Sequence, residues 1–76
     1  MIKYIDVNAK MTAVGKVYPL EIIWEDGKIF KIDKILDIKN LASTKGGGVG
    51  VRYLCEIKGR EKILFLNDYK WFIEFD

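Results

Sequence analysis

Residues 20–32 read Leu20-Glu21-Ile22-Ile23-Trp24-Glu25-Asp26-Gly27-Lys28-Ile29-Phe30-Lys31-Ile32. Two apolar-alternating runs meet at Asp26-Gly27. Asp-Gly between such runs is the strongest short-range hairpin signal, because a two-residue type I′ turn needs φ > 0 at both central positions. The ascending run puts Leu20, Ile22 and Trp24 on one face and Glu21 and Glu25 on the other. Pro19 donates no ladder hydrogen bond, so it belongs at the start of that strand or on an edge. The return run places Phe30, Ile32, Leu36 and Ile38 in one phase, which Lys34 interrupts. A bend or bulge near Asp33-Lys34 resolves the conflict.

The same period of two extends in both directions. Ile5, Val7, Ala9 and Met11 alternate with Tyr4, Asp6, Asn8 and Lys10, the pattern of a half-buried strand, and Gly15-Lys16 marks a turn after it. Asn40 is placed to cap a short helical turn over residues 40–44. Lys45-Gly46-Gly47-Gly48-Val49-Gly50 reads as a flexible connector. Val49, Val51, Tyr53, Cys55 and Ile57 then alternate with Arg52, Leu54, Glu56 and Lys58. Gly59 and Asn67-Asp68 mark two further turns, around strands over 61–66 and 69–75. No stretch shows helical periodicity. Five or six short strands at this spacing predict an all-β fold, a small barrel or sandwich, and a closed or nearly closed barrel is favoured because closure removes exposed edges. The inward phases collect Trp24, Phe30, Tyr53, Phe65, Trp71 and Phe75, leaving Tyr4 and Phe72 outward.

Composition narrows the chemistry. The chain has 76 residues, a net charge of +2 and half its residues apolar, which predicts a single domain over residues 1–76. Histidine is absent and Cys55 is the sole cysteine. This removes His-based acid–base catalysis, disulfides and Cys-pair zinc sites. One unpaired thiol suits a reducing compartment. Asp6 interrupts the N-terminus where a signal peptide would be apolar. No apolar run is long enough to span a membrane. The expectation is a cytoplasmic protein without cofactor or metal.

Pro19 to Gly27, Phe30-Lys31-Ile32-Asp33-Lys34-Ile35-Leu36-Asp37, Arg52-Tyr53-Leu54-Cys55 and Trp71-Phe72 together resemble a family of short, uncharacterised proteins from Firmicutes (clostridia and relatives). The resemblance runs over most of the chain. It implies an SH3-like small β-barrel and no assigned activity. A shorter pattern, Trp24, Gly27, Phe30 and Ile35-Leu36-Asp37, is similar to small actinobacterial proteins associated with translesion polymerase genes. Here Glu25-Asp26 is acidic where those proteins are basic.

Three constellations bear on function. In the glycine loop Lys45 precedes the glycines and a strand follows, whereas a P-loop ends in Gly-Lys-Ser/Thr and opens a helix. That leaves a connector, or a loop closing over a polyanion with Lys45 as its charge. Residues 41–60 carry Lys45, Arg52, Lys58 and Arg60 against Glu56 alone, a candidate basic stripe for a nucleic-acid backbone. Tyr4 and Phe72, if exposed, would stack bases or anchor a protein partner. Cys55 falls in the inward phase as a small buried hydrophobe. The expectation is therefore a non-enzymatic binding or adaptor module for a protein or peptide. The alternative is weak, sequence-independent nucleic-acid binding through residues 45–60. The candidate ligand-binding residues are Lys45, Arg52, Lys58, Arg60, Tyr4 and Phe72.

Overall fold

The structure is a computed structural model and describes residues 1–41 and 50–74. Lys45, most of the glycine loop and Phe75 lie outside the described residues. Eight strands are found among the described residues: β1 (Ile2–Tyr4), β2 (Asp6–Met11), β3 (Val17–Ile23), β4 (Ile29–Lys31), β5 (Lys34–Leu41), β6 (Gly50–Ile57), β7 (Arg60–Asn67) and β8 (Lys70–Glu74). All pair antiparallel, in a five-stranded sheet of order β1-β8-β7-β6-β5 and a three-stranded sheet of order β2-β3-β4. The all-β class is as expected. There are eight strands rather than five or six because two runs turn a corner and serve both sheets.

The first corner is Ile5, whose N–H donates to the Trp71 carbonyl at 3.1 Å. The second is Ile32-Asp33, where the sequence calls for a bend. Ile32 N–H donates to the Leu20 carbonyl in one sheet, and Asp33 N–H to the Glu56 carbonyl in the other, both at 2.9 Å. The Asp33 carboxylate also accepts the Lys58 N–H at 3.0 Å. The expected closed barrel does not form among the described residues. At the corners single bonds replace continuous ladders, and β1 and β4 are only three residues long.

Two bulges explain the apolar side chains the alternation misplaces. Asn8 pairs with Glu21 but Ala9 with Pro19, so Leu20 is an extra residue in β3. Leu20 turns outward, 50% exposed, while Pro19 and Ile22 both stay buried. Pro19 sits third in β3, beside this bulge and beyond the reach of β4. A bulge is one of the few strand positions that tolerate proline. Leu36 is likewise extra between Ile35 and Asp37. Ile35 takes the inward place, and Leu36 and Ile38 are exposed. The helical turn expected over 40–44 is corrected in part: Asn40 and Leu41 end β5, and 42–44 lie outside the described residues.

Ile22, Ile32, Tyr53, Cys55 and Leu64 form the core between the sheets. Tyr53, 2% exposed, donates its hydroxyl to the Val17 carbonyl at 2.5 Å and so ties β6 to β3.

The turn at Asp26-Gly27 forms with a different geometry from the expected type I′. Trp24 N–H donates to the Lys28 carbonyl at 2.8 Å, and Gly27 N–H to the Trp24 carbonyl at 2.9 Å. Only Gly27 has positive φ, +86°. This is a three-residue loop, a type I turn followed by a left-handed glycine. Thr12 to Lys16 repeats it, with Gly15 at +84°. The two-residue turn with φ > 0 twice occurs instead at Lys58-Gly59, at 51° and 75°. A Cβ at Gly27 meets nothing within 4 Å, so Gly27→Ala carries a backbone penalty without a clash. The expected loss is about 1–2 kcal/mol. A thermal melt should show a drop of several degrees, and an unchanged midpoint would contradict the left-handed assignment.

Candidate functional site

The register separates the proposed basic stripe. Across the outer face of the larger sheet, Lys39 pairs with Arg52, Arg52 with Phe65, Phe65 with Phe72, and Phe72 with Tyr4. Arg52 thus shares a row with Tyr4 and Phe72, about 10 Å from Phe72 at ~4.8 Å per strand. Lys58 and Arg60 lie elsewhere. Lys58 is in the β6–β7 turn, with its Nζ 5.4 Å from the centre of the Phe30 ring. Arg60 pairs with Ile57, so it shares the core-side face of the sheet. Lys45 is outside the described residues.

The outward aromatic pair is also altered. Tyr4 is 53% exposed as expected, but Phe72 is fully buried. Phe72 stacks on Phe65 at 5.0 Å and meets Tyr4 edge-on at 5.9 Å. Phe65, assigned inward from its phase, lies on this outer face because Leu64 is the residue opposite Tyr53. These rings form a second apolar cluster, and Phe72 offers no face to a ligand.

A different feature was not legible from the residue types. The β7–β8 ladder covers only Phe65–Asn67 against Lys70–Phe72. Beyond it β8 turns away to β1, pairing Ile73 with Lys3 and Glu74 with Ile2. Residues 61–64 of β7 are left, among the described residues, without a ladder partner on that side. An apolar cleft of about 540 Å³ opens there. Its floor is Ile22 and Phe30 of the smaller sheet and Trp24 of the loop joining their strands, with Ile5, Ile57 and Ile73. Glu61, Lys62, Ile63 and Glu74 form its lip. The volume is that of ordinary ligand sites. A larger groove, about 800 Å³, runs between residues 4–8 and 69–71, but its lining is mixed and it is more open.

Two lysines cap the aromatic floor. Lys3 Nζ lies 5.5 Å from the Trp24 ring centre and forms an ion pair with Glu25 at 2.7 Å. Lys58 covers Phe30. Each cation adds a modest attraction to the ring beneath it.

Cys55 is fully buried in the core, as its phase predicts, and burial pushes its thiol up to about 11. Burial, followed by the neighbouring Tyr18 and Cys55, also raises the Tyr53 phenol. A thiolate nucleophile at neutral pH needs the opposite shift. The unfolded chain releases its thiol proton near the usual value of 9.0, before the folded chain does. Stability is therefore complete below about pH 9 and falls as pH rises to about 11, by about 2–3 kcal/mol from this group. Urea midpoints should fall more steeply across that window for the natural protein than for Cys55→Ala. Equal slopes would contradict the burial assignment.

No family model, curated protein or solved structure matches this chain.

Proposed function

We propose that this protein is a non-enzymatic, cytoplasmic binding module, a relative of the SH3-like barrels, that takes an extended segment of a partner protein. The observation that carries the reading is the coincidence of a strand edge at residues 61–64, without a ladder partner among the described residues, with an apolar cleft beside it. An extended peptide adds to such an edge by main-chain hydrogen bonds, and its alternate side chains fill the adjoining pocket. Cys55, buried and with a raised thiol pKa, supports a role without covalent chemistry.

The test is an amide NMR titration with blocked peptides of alternating Thr and Val. Shifts should cluster at residues 61–64 and 73–74 and at the Trp24 indole. Phe30→Ala, which opens the cleft floor, should weaken binding about tenfold or more with peak dispersion retained. A titration that leaves 61–64 unmoved would overturn the reading.

The nucleic-acid alternative keeps one supporting observation, the outer row of Lys39 and Arg52 beside the exposed Tyr4. A short single strand bound there should lose affinity steeply between about 50 and 200 mM salt, and Arg52→Ala should weaken it further.

A further inference from the structure

Side chains at the cleft mouth indicate what enters it. Arg60 pairs with Ile57, and Lys62 with Cys55, so both occupy core-side positions of β7. Lys58, in the turn before Arg60, lies over the ring of Phe30, a residue of the cleft floor. Among the described residues the side chains of Lys58, Arg60 and Lys62 form no ion pair, although the Asp33 carboxylate holds the Lys58 backbone N–H. Two acids, Glu61 and Glu74, belong to the cleft lip, and both take the outward phase of their strands, Glu61 in step with Phe65 and Glu74 with Phe72. Glu56 and Glu61 stand directly opposite each other in the β6–β7 ladder, a repulsive arrangement.

A strand added beside 61–64 must present its side chains alternately to these two faces. Its inward side chains meet an apolar floor at the level of Lys62 and the Arg60 position two residues earlier in β7. We infer, resting on the strand-addition reading above, that the partner segment is acidic and apolar on its inward face. It carries a Val, Ile or Leu side chain into the cleft and an Asp or Glu two residues away, facing Arg60, Lys62 and Lys58. Residues on its outward face, beside Glu61, are uncharged or basic. Opposite charges across a ladder attract and like charges repel, so the order of charge sets the specificity of the edge.

The experiment uses blocked heptapeptides of alternating Thr and Val in which one Val is replaced by Glu, Gln or Lys, in both sequence orders. Binding to the full chain is followed by the amides of 61–64 and the Trp24 indole. The Glu peptide should bind about tenfold tighter than the Lys peptide at about 50 mM salt, the gap narrowing as salt screens it. In the double variant Arg60→Glu, Lys62→Glu the preference should reverse. Glu and Lys peptides binding equally at the cleft would overturn the charge inference and leave strand addition standing. Shifts confined to the β5 edge, or none with any peptide, would overturn both.

Discussion

Tyr53→Ala should leave the chain largely unfolded at room temperature. The ring is 2% exposed at the centre of β6 and lies 5.6 Å from Trp71. Truncating a buried aromatic costs about 3–5 kcal/mol. A domain of this size holds little more than that in total. Because unfolding would hide the cause, Tyr53→Phe is the companion. It keeps the ring and removes only the hydroxyl that reaches the Val17 carbonyl. That removes one hydrogen bond at a part-buried carbonyl, worth about 0.5–1.5 kcal/mol. Urea denaturation followed by circular dichroism measures both. An unchanged midpoint for Tyr53→Phe would show that the bond between β6 and β3 contributes nothing.

Phe72→Ala should be nearly as damaging, although Phe72 lies on the face away from the main core. Its side chain is fully buried between Phe65 and Tyr4. The loss is again about 3–5 kcal/mol, and Phe72→Leu should recover a large part of it. The damage should be directional. β1 is held in its sheet by β8 alone, through the pairs from Ile2–Glu74 to Tyr4–Phe72. Amide exchange at residues 2–4 should therefore accelerate more than exchange in β6. Uniform acceleration would mean that Phe72 supports the whole fold and has no special hold on β1.

The contrast between these two residues shows where the sequence is legible. Tyr53 was readable because β6 alternates without interruption from Val51 to Ile57, and its inward side chains are the ones the core buries. Phe72 was readable only as out of phase with Trp71. Phase assigns a face, but it does not reveal whether that face is covered. Phe65 was misassigned for a related reason. The period within a strand is fixed, but which half of the alternation points inward depends on the register with β6, and Leu64 rather than Phe65 stands opposite Tyr53. Leu20 and Leu36 fail differently. A bulge adds one residue and reverses the phase after it, and a single leucine in an apolar run carries no mark of which residue is extra.

The candidate site follows the same division. Lys58 and Arg60 stand out by charge; the fold sets Lys58 over Phe30 of the cleft floor and Arg60 on the core-side face of β7, while Lys62, which charge alone does not single out, lines the cleft. Arg52 was grouped with them because it shares an outward phase with Lys58. The β6–β7 turn ends that phase, and Lys58 leaves the strand to cover Phe30.

By itself the sequence determined the all-β class, the positions of the turns, the bend at Asp33-Lys34 and the burial of Cys55. These follow from period-two alternation, glycine placement and hydrophobicity, which act over a few neighbouring residues. The tertiary structure alone decided that, among the described residues, the two sheets meet at corners without closing, and that β8 parts from β7 after Phe72. It also decided that the edge at 61–64 adjoins an apolar cleft. Those outcomes depend on pairings between distant parts of the chain. β8 lies between β7 and β1, pairing with β7 over Lys70–Phe72 on one edge and with β1 over Phe72–Glu74 on the other, and no local pattern in the sequence states how far each ladder runs.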